Sequence, residues 1–189
     1  MPALVAPTPR VQESFLAAMA EFQAEGRGRP DDYTSLGGEI REYSRTWSDP
    51  AVFAAYTQNL RAAALEDSPR PPGWVPATTM WWVDGEQYLG RLAIRHRLND
   101  FLRDYGGHIG YDVRPSARRR GHATRMLRTA LPVAHELGID PALITCDVDN
   151  VGSRRVIEAN GGQYCDQRAQ KLRFWVRTSL DVVEIARVQ

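Results

Sequence analysis

The sequence predicts a mixed α/β fold: a mostly antiparallel, twisted sheet with flanking helices and a central parallel βαβ unit. Three observations carry this expectation. "TTMWWV" (78–83) and "QYLGRLAIRH" (87–96) flank Asp84-Gly85, a dipeptide that favours a tight hairpin turn. Across 121–137, Ala123, Met126, Leu127, Ala130, Leu131 and Ala134 recur at helical spacing. "PALITCDV" (141–148) reads as the buried kind of strand, apolar without alternation. A helix lying between two strands of one sheet implies a crossover joining parallel neighbours.

The remaining elements follow from periodicity and punctuation. In 11–24, Val11, Phe15, Ala18, Met19 and Phe22 share one helical face that ends near Gly26. Asp49-Pro50 opens another helix, because Asp caps free amides and Pro costs nothing at the first helical position. That helix runs through "AVFAAYTQNLRAAALE" and stops before the turn-rich "DSPRPPGWVP". "LNDFLRDYG" is a short helical piece ahead of the strand "HIGYDVR", and Pro132 predicts a kink or early end in the 121–137 helix. "NVGSRRVIEANGG" is a short helix closed by glycine, and "YCDQRAQKLRFWVR" a final pair of strands. The chain is read as one domain over 1–189: a helical flank or lid over 1–75 and a core over 76–180.

Composition narrows the function classes. The formal charge is +1, so no global field favours nucleic acid or an anionic membrane. Lys171 is the sole lysine; arginine suits forked phosphate recognition, although a genome rich in G and C produces the same bias. Cys146 and Cys165 lack CxxC spacing and read as reduced, buried thiols. The start "MPALVAPTPRVQES" has no secretory pattern and no apolar run is of spanning length, so a cytoplasmic location is expected.

The stretch "RPSARRRGHA" (114–123) carries the chemistry. Pro115 ends a strand, and Gly121-His122-Ala123 opens a helix whose first amides lack intrahelical partners at the positive end of its dipole. Small residues at 121 and 123 admit a ligand close to the backbone. A pyrophosphate would be held there by amides of residues 119–124, with guanidinium groups in support. The spacing is neither the Gly-Lys-Ser/Thr phosphate loop nor the dinucleotide GxGxxG pattern.

The run Arg118-Arg-Arg-Gly121-His-Ala123 resembles the Arg/Gln-x-x-Gly-x-Gly/Ala motif of the GNAT superfamily, which transfers acyl groups from acyl-coenzyme A. Asn150-Val-Gly-Ser153, followed by Gly161, is similar to that superfamily's Asn-x-x-Ala/Ser…Gly segment. The run from Ile94 to Leu127 further resembles a branch of predicted bacterial acetyltransferases. The resemblance implies a cofactor site for acetyl-CoA made of Tyr111, Asp112, Val113, Arg118, Arg119, Arg120, Gly121, His122, Ala123, Thr124, Asn150 and Ser153, with no metal. Amides from Arg118 onward would cradle the pyrophosphate, and the strand end Tyr111–Val113 would bond the pantetheine arm and acyl carbonyl. Asn150 would contact pantetheine, and Ser153 would lie near the thiol. It also implies transfer of an acetyl group to a primary amine, a small molecule or a peptide, by direct attack.

Ile157 occupies the position where many superfamily members carry the tyrosine that protonates the leaving thiolate, so Ser153 is the candidate acid. Ser153 is equally readable as a first-turn serine bonding backbone. His108 is the candidate base because histidine titrates near working pH; beside Gly106-Gly107 it is also readable as ordering the strand. Glu158 and His96 can face the site or solvent. Trp74, Trp81 and Trp82 favour core over an acceptor wall, and His122 reads as an exposed spacer. A non-catalytic acyl-CoA-binding or sensor protein is the alternative that Ile157 keeps open. Nucleic-acid binding through Arg118–Arg120 is the weakest reading, since no aromatic residues interleave with the arginines. Neither nucleic acid nor membrane is expected as a partner, and a homodimer is left open.

Overall fold

Trp81 and Trp82 point to opposite faces of one strand, and the two cores of the protein form around them. The computed structural model describes residues 1–179; the last ten residues assigned to the single domain, 180–189, lie outside the described residues. In chain order the elements are β1 (Ala3–Val5), α1 (Gln12–Ala24), α2 (Ser35–Tyr43), α3 (Pro50–Ala62), β2 (Ala77–Asp84), β3 (Gln87–Arg95), β4 (Ile109–Val113), α4 (His122–Glu136), β5 (Ala142–Asp147), α5 (Val151–Glu158), β6 (Gln163–Arg168) and β7 (Lys171–Val176). Asp49 caps α3 by accepting from the amides of Ala51 and Val52, as its sequence implies.

Strands β1-β2-β3-β4 form one antiparallel sheet and β5-β7-β6 a second. The expected βαβ unit is β4–α4–β5, its two strands neighbours joined by α4, but they share no ladder. Their backbone link among the described residues is His108 N–H donating to Leu143 C=O at 2.6 Å. Beyond that joint β4 and β5 belong to separate sheets, and among the described residues no strand pairs with the other edge of β4.

On one face, which we call the back, α4 buries Met126, Leu127, Ala130 and Ala134 against Trp82, Leu92, Ile94, Ile109, Ile144 and Phe174. On the front, α1, α2 and α3 gather an aromatic core on Trp81, Val83 and Tyr88. Phe15 is its hub, with ring centroids 5.0 Å from Trp47, 5.1 Å from Phe53 and 5.2 Å from Trp81. Such pairs contribute about 0.5–1.5 kcal/mol each beyond area burial. Beneath α2, buried Arg91 donates to Glu39 at 2.5 and 3.0 Å, and Tyr56 Oη donates to the same carboxylate. The charges are thus compensated where desolvation would otherwise be costly.

Four local expectations change. Helix α4 continues through Pro132 to Glu136, because the carbonyl that loses its donor belongs to exposed Arg128 and can bond water. Segment 98–106 forms a single π turn, Leu102–Gly106, rather than a regular helix. Cys146 is buried but Cys165 is exposed, since β6 is an edge strand of its sheet with mostly exposed residues. Trp81 and Trp82 are core residues while Trp74 is 60% exposed in the loop before β2. Among the described residues no helix is long and apolar enough to cross a membrane, and no group of three potential metal-binding side chains occurs.

Candidate active site

The loop between β4 and α4 presents a row of uncommitted amides. Arg119 and Gly121 take left-handed backbone conformations, φ 60° and 74°, and Gly121 stands at the N-cap of α4 with no side chain capping it. Among the described residues the amides of 119–124 donate no hydrogen bond, and a Cβ at Gly121 would meet nothing within 4 Å. Free N–H groups converging at a helix N-terminus, facing open space, suit a phosphate group. No ligand is needed to form this cradle, because side chains behind it hold the loop.

Those anchors come from α1. Glu21 accepts from Arg114 Nε at 2.7 Å and from both the amide and the hydroxyl of Ser116, at 2.9 and 3.0 Å. Arg114 and Ser116 hold the Glu21 carboxyl below the usual carboxylate range despite opposing desolvation, the largest single influence. Glu25 accepts from Arg118 Nη1 and Nη2 at 2.9 and 2.8 Å, while Arg118 Nε donates to Val113 C=O at 3.1 Å. Arg118 is thereby corrected as a phosphate contact: its amide donates to Pro115 C=O and its guanidinium staples the loop to α1. Arg119 and Arg120 are exposed.

His122 is not a spacer. Its Nδ1 accepts from buried Trp82 Nε1 at 3.1 Å, which ties the first turn of α4 to β2. Burial, with Arg125 and Arg120 nearby, lowers its pKa, consistent with a neutral ring that can accept from the indole.

The gap beside β4 supplies the second half of the site. Bonded pairs of the β3–β4 ladder involve even-numbered residues of β4, so the N–H and C=O groups of Ile109, Tyr111 and Val113 face the gap. Val113 C=O is occupied by Arg118. Asp112 is corrected on the same ground: it sits opposite Arg91 in the ladder, and its carboxylate bonds Arg27 at 2.5 Å on the front face. Across the gap, Asn150 Oδ1 accepts from Ser153 N–H at 2.9 Å and so caps α5. Tyr111 Oη lies 2.8 Å from Ser153 Oγ, a hydroxyl pair spanning from β4 to α5. Burial raises the Tyr111 phenol well above its ordinary range, so it stays protonated.

Ile157 is fully buried in the α4 core, and a Cβ on Gly162 would lie 2.4 Å from Ile157 Cγ2. We expect Ile157→Tyr to overpack this point and destabilise the fold by about 1–3 kcal/mol without raising turnover. Thermal melting and steady-state rates check both; a faster enzyme with unchanged melting would refute the placement.

His108 is corrected as a base. Its Nδ1 accepts from Leu143 N–H at 2.9 Å, so the ring completes the joint between β4 and β5. Burial first, then Arg103 and Arg95, lowers its pKa to about 4, and the neutral ring carries its proton on Nε2. Neither nitrogen is free to accept a proton without breaking that joint. The ring also lines a cavity of about 590 Å³ with His96, Arg97, Arg103 and Trp175. Gly138 and Ile139, which also line it, follow the C-terminus of α4, whereas the amide cradle lies at its N-terminus. The fifteen residues of α4 separate these ends by roughly 22 Å at about 1.5 Å per residue. His96 shares a hydrogen bond of 2.9 Å with Thr78, and Glu158 pairs with Arg154 on an exposed helix face.

Comparison with known proteins gives these features a setting. A family model described as an acetyltransferase (GNAT) domain matches residues 29–163. No curated protein matches. Among solved structures, Mycobacterium smegmatis RimJ in complex with CoA-disulfide superposes with a TM-score of 0.64 at 17% identity, covering 93% of this chain and 81% of that one. The Microcin C7 self-immunity acetyltransferase MccE, solved with acetyl-CoA and AMP, gives 0.60 at 11% identity, over 92% and 90% of the two chains. An acetyltransferase from Salmonella typhimurium that modifies the N-terminal serine of ribosomal protein L7/L12 gives 0.55 at 17%, over 95% of each. At these identities the likeness establishes the fold, and the family model, which covers more than half of the sequence, establishes the relationship. The chain belongs to the GNAT acetyltransferase family, enzymes that use acetyl-CoA as acyl donor.

Proposed function

We propose that this protein transfers the acetyl group of acetyl-CoA to a primary amine, a small molecule or a peptide N-terminus, by direct attack. The observation that carries the reading is the row of amides at 119–124 that, among the described residues, donate no hydrogen bond, beside the β4 edge that no described strand pairs. Acetyl-CoA supplies a thioester whose carbonyl carbon the amine attacks.

In this reading the amides of residues 119–124 hold the pyrophosphate, and Arg119 and Arg120 add charge from the rim. The backbone of Tyr111 binds the pantetheine arm along the strand edge, and the Asn150 carboxamide donates to it from α5. As the C–N bond forms and the C–S bond breaks, Ser153 O–H gives its proton to the departing sulfur and regains one, through solvent, from the proton that the amine gives up. Tyr111 Oη is taken as the donor of the hydroxyl pair, aiming the Ser153 O–H, which makes Tyr111 a positioning residue. This hydroxyl pair fills the role left open by Ile157.

The test is release of free thiol from acetyl-CoA in the presence of peptide N-termini, polyamines, aminoglycosides and amino acids. Amine-dependent release with a matching acetylated product is the expected result. Tight acetyl-CoA binding without turnover on any amine would favour a sensor protein, and absence of binding at millimolar concentration would overturn the proposal.

A further inference from the structure

Six arginines among the described residues are buried or half-buried: Arg27, Arg70, Arg91, Arg95, Arg114 and Arg173. Four have a carboxylate partner: Arg27 pairs with Asp112, Arg91 with Glu39, Arg114 with Glu21 and Arg173 with Asp166. Arg70 and Arg95 have none among the described residues; Arg70 donates from Nη1 and Nη2 to the carbonyls of Glu66 and Leu65 at the surface, which leaves Arg95. Its Nη1 donates to Gly106 C=O at 3.0 Å and Gly107 C=O at 3.3 Å, and its other nitrogens have no described partner. Its unbonded nitrogens are not sealed from solvent, so a ligand can reach them, and a carboxylate is the group that pairs best with a half-buried guanidinium.

The place of Arg95 gives those nitrogens a meaning. Leu92 and Ile94 of β3 face α4 on the back, so Arg95 alternates to the front with Arg91. The guanidinium lies over Gly110 of β4: a Cβ there would sit 3.4 Å from Nη1 and 3.6 Å from Nη2. Glycine at 110 therefore leaves room beside the guanidinium, one residue before Tyr111. The donor loop and α5 approach the β4 edge from the side of α4. An acceptor approaching the same edge from the opposite, front face would meet Arg95 and Gly110, both half-buried. Side-chain amides or hydroxyls would satisfy a neutral acceptor; an unpaired fork suits an anionic one.

We propose that Arg95 selects acceptors bearing a carboxylate close to the reacting amine, such as aspartyl or glutamyl N-termini. This rests on the acetyltransferase reading. The probes are Asp-Ala-amide and Glu-Ala-amide against their isosteres Asn-Ala-amide and Gln-Ala-amide, with acetyl-CoA affinity and thermal melting measured in parallel. The native enzyme should prefer the acidic member of each pair by at least about tenfold in kcat/KM, because the fork-to-carboxylate bond is charge-assisted. Arg95→Gln should bring the ratio within twofold, sparing acetyl-CoA affinity and rates on the neutral pair, whereas Arg95→Lys should keep part of the preference. A purely structural Arg95 would lower melting and all four rates together, leaving the ratio unchanged, and that result would overturn the proposal. Should Arg95→Gln not fold, Gly110→Ala crowds the same guanidinium from the β4 side and should reduce the ratio; an unchanged ratio refutes the assignment. No acidic preference in the native enzyme would refute it as well. Acetyl-CoA binding separates the two failures: its loss defeats the transferase reading itself, while binding and turnover of neutral amines without acidic preference defeats only the role of Arg95.

Discussion

Gly121→Asn is expected to weaken acetyl-CoA binding by at least about 100-fold while melting within a few degrees of the native protein. The argument starts from backbone geometry. Gly121 sits at φ 74°, where most side chains are strained but asparagine is tolerated. Among the described residues no atom beyond its chain neighbours lies within 4 Å of an added Cβ, so the Cβ itself meets no clash. It projects instead into the space faced by the amides of 119–124. Charge-assisted bonds contribute about 1.5–3 kcal/mol each, so losing two of them removes roughly two to four powers of ten in affinity. Gly121→Val is a poorer probe, because a β-branched residue in a left-handed conformation costs about 1–2 kcal/mol and would reshape the loop by itself. Isothermal titration with acetyl-CoA, paired with a thermal melt, separates the effects. Native-like affinity in a well-folded Gly121→Asn protein would remove the pyrophosphate from this loop.

Local signals in the chain were sufficient for the elements that frame this loop. Asp84-Gly85 sets the β2–β3 hairpin, the spacing of Met126, Leu127, Ala130 and Ala134 sets the buried face of α4, and Asp49 caps α3. What stayed invisible depends on contacts between distant segments. Strand β1 has three residues and exists through its pairing with Trp81–Val83 of β2. Glu21 lies on α1 and Glu25 caps its C-terminus, where the sequence shows only an apolar stripe, yet they fix Arg114 and Arg118 more than ninety residues away. That pairing is why the conspicuous Arg118 is a staple and its quieter neighbours supply the amides. Sequence alternation did contain one unused clue. Tyr111 shares a face with Ile109 and Val113, so its ring had to be at least partly buried and its hydroxyl needed a partner. The partner, Ser153, is forty-two residues on and is brought close only by the crossover through α4.

Ser153→Ala is expected to lower kcat by roughly 10–100-fold, near the lower end of general acid contributions, while leaving the KM for acetyl-CoA within about twofold. Tyr111→Phe should cost less, about tenfold, because the phenol acts through Ser153 and its ring continues to fill the β4 edge. The two losses should not multiply. If Tyr111 works by aiming the Ser153 hydroxyl, the double variant has nothing left to aim and should be no slower than Ser153→Ala. Neither change should introduce a new limb in the pH profile below pH 10, because burial raises the phenol pKa and keeps it protonated across that range. A structural role alone predicts a different pattern: Tyr111 Oη to Ser153 Oγ would then be a tie between β4 and α5, and its loss would lower melting with little change in kcat. Steady-state kinetics on the four proteins, with melts alongside, discriminates these cases. Multiplying losses would mean two independent functions, and an unimpaired Ser153→Ala would assign the proton delivered to sulfur to solvent rather than to this pair.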